Sequence, residues 1–324
     1  MGVNGLIENT ILVRVNEIKQ ITQQVKEFSF IPIDEFNLPT FSGGSHINTY
    51  VAAENEIICR PYSLVHHSLI DNTYKIVIHF SSESKGGSKY WHERMKVGDR
   101  LRISYPKNHF PLSGRAKHHV FYAAGIGITP FLSMMKELKS KNKSFELHYT
   151  SATKSSCAFY DFLNEFYREE TTFYFTKELN SSRIKVETLL DHSIGTHVYF
   201  CGPNRFITQF NESAYAFGYP KSSVHIEVFT PQLLAYSRPF EVKLANGTTK
   251  QVPVDKTLLD VLLDEGLKVP YSCRVGRCGT CEVNVIDGQI EHHDFLLDED
   301  QRKSNKMILT CVSRAKSNQI ILEI

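Results

Sequence analysis

The chain has 324 residues and a formal net charge of only +2, with 37 lysines and arginines against 35 acidic residues. So small a net charge gives no support for binding to nucleic acid or to an anionic membrane surface. With 41% apolar and 22% charged residues, the composition excludes a disordered or low-complexity chain and is typical of globular domains.

The amino-terminal segment, residues 1–20, lacks the basic start and apolar core of a signal peptide. No run of about 18 apolar residues is present, so the sequence predicts no membrane-spanning helix. The cysteine count is seven, an odd number, which argues against a disulfide framework. We therefore expect a cytoplasmic protein without membrane association.

The first third of the chain carries short apolar strands separated by turns, for example at residues 11–15 and 74–78. Several strands at this spacing indicate an antiparallel sandwich or barrel. We expect this fold from Thr10 to about Leu112.

Two stretches of this third outline a mononucleotide site. They are Arg60, Tyr62 and Ser63 at the end of a strand, and Gly86, Gly87 and Ser88 before a helix-like segment at 90–95. A glycine pair and a serine that open a helix can bind phosphate, because free N–H groups and the helix dipole converge there. Arg60 would share the phosphate, Tyr62 would stack on a ring, and Ser63 would reach a ring nitrogen. Taken singly, a plain loop and a surface cation remain alternatives.

The middle third begins with a buried strand at 119–124, followed by a glycine turn. The turn contains Gly125 and Gly127, and the sequence predicts Thr129 as the N-cap and Pro130 as the first residue of a helix that continues over 131–138. A turn that leads directly into a helix N-terminus binds phosphate. Pro130 replaces the last glycine of the dinucleotide fingerprint, so that fingerprint is only half present.

Strands and helices alternate through the rest of this third, to residue 227, which predicts a parallel sheet with both faces covered. Cys201, Gly202 and Pro203 end one of these strands at its carboxyl edge, where open α/β sheets bind ligands. A buried structural cysteine is the alternative at this position. The segment 150–154 contains no arginine to hold a 2′-phosphate, which favours NADH, although Lys154 leaves NADPH open.

The last third carries the most specific motif of the chain. Its cysteines are Cys273, Cys278, Cys281 and the distant Cys311, spaced Cys-x4-Cys-x2-Cys with a fourth after 29 intervening residues. This is the plant-type ligand pattern for a [2Fe-2S] cluster. A zinc site is the main alternative, but such sites usually contain two close cysteine pairs, and Cys311 has no close companion in the sequence.

The residues between these cysteines suit an anionic cluster. Gly276 and Gly279 can adopt positive φ and turn backbone N–H groups toward sulfur, and Arg274 and Arg277 would add positive charge. The N–H groups and the arginine charges would both favour the reduced cluster. The motif lies in a segment of predicted strands and one helix that resembles a plant-type ferredoxin with a β-grasp fold.

The whole chain resembles the phthalate dioxygenase reductase family, on the motifs just described and on Glu227-Val228-Phe229. The resemblance implies an FMN-binding β-barrel at 1–112, an NAD-binding α/β domain at 113–230, a linker at 231–239 and a [2Fe-2S] ferredoxin domain at 240–324. It also implies that Phe229 lies near the flavin ring. Reductase components of vanillate demethylase and carnitine monooxygenase look similar over the same span.

These cofactors predict transfer of hydride from NADH to FMN and of single electrons through the cluster to an external acceptor. We expect no catalytic side chain, because the cofactors carry the chemistry. No Cys-x-His is present for a Rieske centre, so the resemblance implies a separate Rieske-type oxygenase as partner. A haem monooxygenase partner and a redox-sensing module remain alternatives. The sequence predicts neither the organic substrate of the oxygenase nor the oligomeric state.

Overall fold

The computed structural model describes residues 10–34, 36–53, 56–68, 71–82, 87–229 and 238–324. These residues form two compact units, Met1–Val228 and Phe229–Ile324. Gly86 and most of the predicted linker, residues 231–237, lie outside the described residues. Within the described ranges, no helix combines the length and apolar character that crossing a membrane requires.

The first sheet of unit one is a closed barrel with the strand order β1-β2-β5-β4-β3-β6, as predicted. Its elements are β1 Thr10–Thr22, β2 Val25–Pro32, β3 His46–Ala53, β4 Glu56–Ser68, β5 Thr73–His79, α1 Gly87–Glu93 and β6 Arg100–Ser104. Alternate residues of β1, from Ile11 to Val15, are buried in the barrel. Trp91 of α1 packs its ring edge against Phe28, with centroids 4.8 Å apart, so α1 is anchored to the barrel core.

The second sheet of unit one is parallel, with the strand order β11-β10-β7-β8-β9, which confirms the α/β prediction. Its elements are β7 His118–Ala124, α2 Thr129–Ser140, β8 Phe145–Ser151, α3 Tyr160–Phe166, β9 Thr171–Phe175, β10 Thr196–Cys201, α4 Asn204–Ala216 and β11 Val224–Glu227. Strand β10 is buried along its whole length, as expected for a central parallel strand. Helix α3 starts only at Tyr160, because Phe159 precedes it in a left-handed conformation with φ 63°.

Helix α2 joins the barrel to the parallel sheet within unit one, because it packs against β4. A glycine pair of the barrel, Gly43 and Gly44, meets the same helix. The N–H of Gly43 donates to Glu137, and the N–H of Gly44 donates to Ser133 Oγ at 3.1 Å. A Cβ at Gly43 would lie only 2.7 Å from the backbone of α2, so the close approach requires glycine.

Unit two is a mixed sheet with the strand order β13-β12-β18-β14-β16, which confirms the β-grasp prediction. Its elements are β12 Phe240–Leu244, β13 Thr249–Val252, α5 Leu258–Asp264, β14 Glu282–Asp287, β15 Ile290–Glu291, α6 Glu299–Ser304, β16 Met307–Leu309, β17 Arg314–Ala315 and β18 Gln319–Leu322. Strands β12 and β18 are parallel. Helix α5 starts at a capping box between Thr257 and Asp260, which fixes the helix that precedes the cysteine loop.

Candidate functional site

The four cysteines of unit two lie in two pairs. Cys273 and Cys278 are within hydrogen-bonding contact of one another, and so are Cys281 and Cys311. The contact with Cys273 is the main cause that lowers the pKa of the Cys278 thiol to about 4, and the contact with Cys311 lowers the pKa of Cys281 to about 7. None of the seven cysteines of the chain, each among the described residues, forms a disulfide.

This pairing separates a two-iron cluster from a single zinc ion. A tetrahedral Zn²⁺ with bonds of about 2.3 Å needs all four sulfur atoms within about 3.8 Å of one another. No three of these four described sulfur atoms lie within 4.8 Å of one another. Two separate pairs suit a binuclear cluster, in which each iron takes two thiolates. The residues present therefore fit a [2Fe-2S] group.

Glycines allow the loop to fold around this site. Gly276 has φ 75° and Gly279 has φ 73°, both in the left-handed region. A Cβ at Gly276 would lie 2.6 Å from the Val312 side chain, and a Cβ at Gly279 would lie 2.8 Å from that of Leu296. The N–H of Cys273 donates to Cys278 Sγ at 3.5 Å, so backbone amides point at sulfur as predicted.

The prediction for Arg274 is corrected by the structure. Its guanidinium donates to Asp260 Oδ1 at 2.7 Å and lies over the Tyr271 ring at 4.5 Å. The positive charge that we expected beside the cluster is thus compensated by a carboxylate. Arg274 also has φ 56°, and the ion pair with α5 holds this strained loop residue in place. Its role is to position the loop.

Asp294 is a residue that the sequence analysis missed. Its side chain is fully buried, and Oδ1 accepts from the N–H of Leu296 and of Leu297, at 3.1 and 2.8 Å. The neighbouring Phe295 N–H donates to Gly276 O at 2.9 Å, so this turn supports the cysteine loop. An aspartate whose side chain accepts from the following amides is typical of a turn, and this residue type is visible in the sequence.

The predicted flavin residues of the barrel meet at one place. Arg60, Tyr62 and Ser63 lie on β4, and a Cβ at Gly87 would lie 3.4 Å from Arg60 Nε. The arginine side chain therefore passes the first residue of α1. Arg60 Nη1 donates to the carbonyl of Cys59 at 2.8 Å, which holds the guanidinium on this side of the strand. A cation next to a helix N-terminus is a site that suits phosphate.

Tyr62 and Ser88 border the same place. The Tyr62 ring meets Trp91 edge-on, with centroids 5.9 Å apart, and Trp91 belongs to α1. Burial raises the pKa of Tyr62, although the charge of Arg60 opposes the shift, so the phenol stays protonated. Ser88 Oγ accepts from the N–H of Ser81 at 3.1 Å. Ser88 lies on α1, the helix that also carries Trp91.

The predicted nicotinamide residues also come together. Gly125 and Gly127 follow β7, and residues 201–203 follow the neighbouring strand β10. A Cβ at Gly127 would lie 2.2 Å from the carbonyl oxygen of Cys201, and one at Gly202 would lie 2.7 Å from the Ala124 side chain. The two segments pack backbone to backbone, so this sheet edge is built from main-chain groups.

Thr129 is not the N-cap that we expected. A 3₁₀ turn over Gly125–Ile128 runs straight into α2, so Ile128 is already helical and is the N-cap. The Thr129 hydroxyl donates to Ile126 O at 3.0 Å. Pro130 does lie in the first turn, as predicted. Neither the 3₁₀ turn nor α2 has a side-chain cap, and the backbone N–H of Thr129 donates to Ile126 O.

The remaining predicted residues differ in exposure. Cys201 is completely buried, and its assignment to the nicotinamide site stays a prediction. Phe229 is 39% exposed and is the first residue of unit two. Its placement near the flavin ring stays a prediction.

Three family models match successive parts of the chain. They are the oxidoreductase FAD-binding domain over residues 12–111, the dimethylamine monooxygenase subunit DmmA-like N-terminal domain over 103–224, and the 2Fe-2S iron-sulfur cluster binding domain over 244–316. The chain thus carries a flavin-binding domain and a [2Fe-2S] domain.

Curated relatives match over almost the whole length. The heme-dependent oxidative N-demethylase beta subunit of Ectopseudomonas mendocina is 37% identical, and the carnitine monooxygenase reductase subunit of Escherichia coli is 35% identical. Each match covers 96% of this chain and 98% of the relative.

Solved structures agree with these matches. Phthalate dioxygenase reductase, a modular structure for electron transfer from pyridine nucleotides to [2Fe-2S], superposes with a TM-score of 0.76 at 30% identity, covering 97% of this chain and 98% of that one. A type IV self-sufficient cytochrome P450 monooxygenase superposes equally well at 32% identity, but this chain spans only 41% of it.

Proposed function

The chain belongs to the phthalate dioxygenase reductase family, and on that premise we propose that it carries electrons from NADH, through FMN and a [2Fe-2S] cluster, to a separate oxygenase. The bound groups supply this chemistry, because a flavin accepts a hydride and an iron-sulfur cluster transfers single electrons. The residues of the chain bind and orient those groups. We assign no side-chain acid or base to the hydride transfer.

The observation that carries the proposal is the pairing of the four thiols. We assign Cys273 and Cys278 to one iron and Cys281 and Cys311 to the other. The contacts within each pair, the positive φ of the loop glycines and the amides that point at sulfur support this assignment. The pairing suits a binuclear cluster and not a single tetrahedral ion, and the glycines and amides suit a loop that holds thiolates.

We place the FMN phosphate between Arg60, Ser88 and the start of α1, with Gly86 and Gly87 in the turn that precedes it. Tyr62 would stack on a ring, and Ser63 would bond to a ring nitrogen. The contact between Arg60 and Gly87 supports the phosphate position. A single phosphate site on a short helix favours the mononucleotide FMN over FAD.

We place NADH at the edge formed by the two backbone segments after β7 and β10. The residues assigned to it are Gly125, Gly127, Thr129, Pro130, Cys201, Gly202 and Pro203. The helix α2 starts at this turn and packs on β4, which carries the assigned flavin residues, and this contact supports two neighbouring sites in unit one. The family resemblance implies that Phe229 lies near the flavin ring. NADH is preferred to NADPH, because the segment after β8 offers no arginine.

The proposal is tested on anaerobically purified protein. We expect about two irons and one acid-released FMN per chain, rapid bleaching of the flavin by NADH and then reduction of the cluster. NADPH should react more slowly. A colourless protein with zinc on the thiolates would contradict the proposal. A protein that binds both groups but is not reduced by NADH would indicate a sensing module.

The electron acceptor we propose is a Rieske-type oxygenase, as the family resemblance implies. A second candidate is a haem-dependent N-demethylase, since the relative with 37% identity carries that name and residues 103–224 match a dimethylamine monooxygenase subunit. Purified oxygenases of both types, mixed with this protein and NADH under argon, distinguish the candidates. The true partner is reduced fully at a low molar ratio of this protein to oxygenase, and the other oxygenase is not.

The domain boundaries follow from the same assignments. We place the flavin barrel at 1–112, the NAD domain at 113–230, the linker at 231–239 and the ferredoxin domain at 240–324. The chain divides into its two compact units after Val228, two residues before the proposed end of the NAD domain. The cytoplasm is the proposed location, because NADH and reduced thiols are available there.

A further inference from the structure

A second group of metal-ligating side chains lies in unit one, away from the cofactor residues. Glu146 Oε1 is 3.2 Å from His148 Nε2 and 3.2 Å from His192 Nδ1. The three donor atoms all lie within 4.8 Å of one another. His118 Nε2 lies 3.9 Å from the other carboxylate oxygen of Glu146. Three imidazoles therefore surround one carboxylate.

The polar face of β8 is unusual for a parallel sheet. Both faces of such sheets are normally apolar, because helices cover them. In β8, Phe145, Leu147 and Tyr149 are buried on one face, whereas Glu146 and His148 are half-buried on the other. The proposed cofactor sites do not explain this polar face, because they lie at the other end of the strands. His118 is at the start of β7 and Gly125 follows its end, so the two residues are separated by about 20 Å along the strand.

Hydrogen bonds fix the protonation of His192. Thr188 Oγ1 donates to Lys185 O at 2.8 Å, so the Thr188 oxygen is left to accept from the Tyr122 hydroxyl at 3.2 Å. Tyr122 must then accept from His192 Nε2 at 3.0 Å. The ring proton sits on Nε2, and the lone pair of Nδ1 faces the Glu146 carboxylate.

His118 repeats this arrangement. Ser144 Oγ donates to Lys117 O at 3.4 Å and accepts from His118 Nδ1 at 3.0 Å. The lone pair of His118 Nε2 again faces Glu146. Two lone pairs that point at a carboxylate repel it unless a cation lies between them. A metal ion at this position would accept both lone pairs and the carboxylate, and the His192 side chain is only 6% exposed.

We propose that Glu146, His148 and His192 bind a divalent transition-metal ion of the Zn²⁺ class, with His118 outside this triad on the other carboxylate oxygen of Glu146. Tetrahedral zinc with nitrogen and oxygen bonds of about 2.0–2.1 Å requires donor atoms about 3.3 Å apart. The two distances of 3.2 Å match that edge. The far nitrogens of His118, His148 and His192 each contact a hydroxyl, the outer-shell arrangement that orients metal-bound imidazoles.

The ion would link Glu146 and His148 of β8 to His192, which follows the 3₁₀ turn Val186–Asp191. Zinc suits this donor set, because two or three imidazoles and one carboxylate are its common ligands when a water completes the site. The carboxylate is 36% exposed, so solvent reaches the fourth position. The proposal is independent of the assigned cofactor residues.

The test uses the full chain with flavin and cluster bound. After dialysis against micromolar ZnCl₂ and removal of excess metal, we expect about one zinc per chain. Zinc-edge X-ray absorption should show only nitrogen and oxygen neighbours at about 2.0–2.1 Å. Sulfur neighbours at about 2.3 Å would place the zinc on cysteines and overturn the proposal. Absence of retained zinc would overturn it as well.

Variants locate the site. His148→Ala and Glu146→Gln should reduce bound zinc to background and abolish any rise in melting temperature on zinc addition. His225→Gln, a histidine change elsewhere on the same sheet, should retain the zinc. Bleaching of the flavin by NADH checks that each variant is folded. If Glu146→Gln folds and still binds one zinc, the carboxylate is not a ligand and the proposal fails.

Discussion

The cysteine site of unit two and the proposed nicotinamide turn of unit one would hold their groups by different means. The cysteine site presents four side chains, three from the loop and Cys311 after β16, and the backbone brings them into two pairs. The turn would present main-chain amides, and Gly127 has no side chain, so it can contact the backbone of Cys201. A site built from side chains fails when one donor is removed. A site built from backbone fails when a side chain is added.

The largest effect is expected at a cysteine. Cys281→Ala should leave flavin reduction by NADH intact and abolish electron delivery to the oxygenase, because one iron loses a thiolate. Stopped-flow absorbance follows both steps. The matched control is Cys157→Ala, a buried cysteine of unit one, which should lower stability by about 1–2 kcal/mol and keep the cluster. Normal delivery by Cys281→Ala would remove this residue from the electron route.

Added methyl groups test the backbone site. Gly127→Ala would place a Cβ 2.2 Å from the Cys201 carbonyl, so we expect a loss of about 3 kcal/mol and a large rise in KM for NADH. Gly125→Ala meets open space and only strains a residue with φ 56°, at about 1–2 kcal/mol. Urea unfolding and steady-state kinetics measure both. Equal effects of the two changes would show that packing on β10 is unimportant.

The proposed flavin site would use a side chain, that of Arg60, together with the backbone amides at the start of α1. Arg60→Ala should weaken flavin binding about 10- to 100-fold, the value of one charged hydrogen bond of about 1.5–3 kcal/mol. Arg100→Ala, an exposed arginine at the start of β6, is the control and should retain flavin. Flavin content after dialysis is the measurement. Full retention by Arg60→Ala would exclude Arg60 from the phosphate site.

The smallest effect concerns the contact between α2 and the barrel. Burial raises the pKa of Glu137, but hydrogen bonds from Lys141 and the Gly43 amide outweigh it and lower the pKa below its ordinary 4.5. A carboxyl with a lowered pKa stabilises the fold above that value, and the stabilisation is lost as pH falls through the folded-state pKa. Glu137→Gln should therefore cost about 0.5–1.5 kcal/mol at pH 7.

The pH dependence of the unfolding free energy tests whether the charge of Glu137 is what stabilises this contact. The difference in unfolding free energy between Glu137→Gln and the unchanged protein should shrink as the pH falls below 4.5. Urea titrations at several pH values measure it. Glu299→Gln, on the exposed helix α6, is the matched control and should show little difference at any pH. A constant difference for Glu137→Gln would mean that its charge is irrelevant.

The sequence predicted the side-chain site better than the backbone site. Four cysteines at a fixed spacing identify their own chemistry, and the three folds follow from the periodicity of their strands and helices. Thr129 was wrongly placed as a cap, because the preceding 3₁₀ turn depends on how the chain leaves β7. The charge of Arg274 was misjudged, because its partner Asp260 is fixed only when α5 packs.

Contacts between distant segments account for what the sequence did not reveal. The approach of Gly43 to α2 joins residues 94 positions apart, and no local pattern encodes it. The Glu146 cluster was missed for the same reason. His148 and Glu146 alternate visibly along one strand, but His192 arrives from a segment more than 40 residues away, so only the folded sheet brings the donors together.

The thiols that do not belong to the cysteine loop have a chemical consequence of their own. Cys59, Cys157 and Cys201 are all buried in unit one, and of the seven cysteines only Cys278 is appreciably accessible. Air oxidation or alkylating reagents would therefore begin at Cys278, in protein that has not yet received its iron. The interior of unit one would stay chemically reduced while that damage occurs, so loss of the metal and loss of the nucleotide-binding fold are separate events.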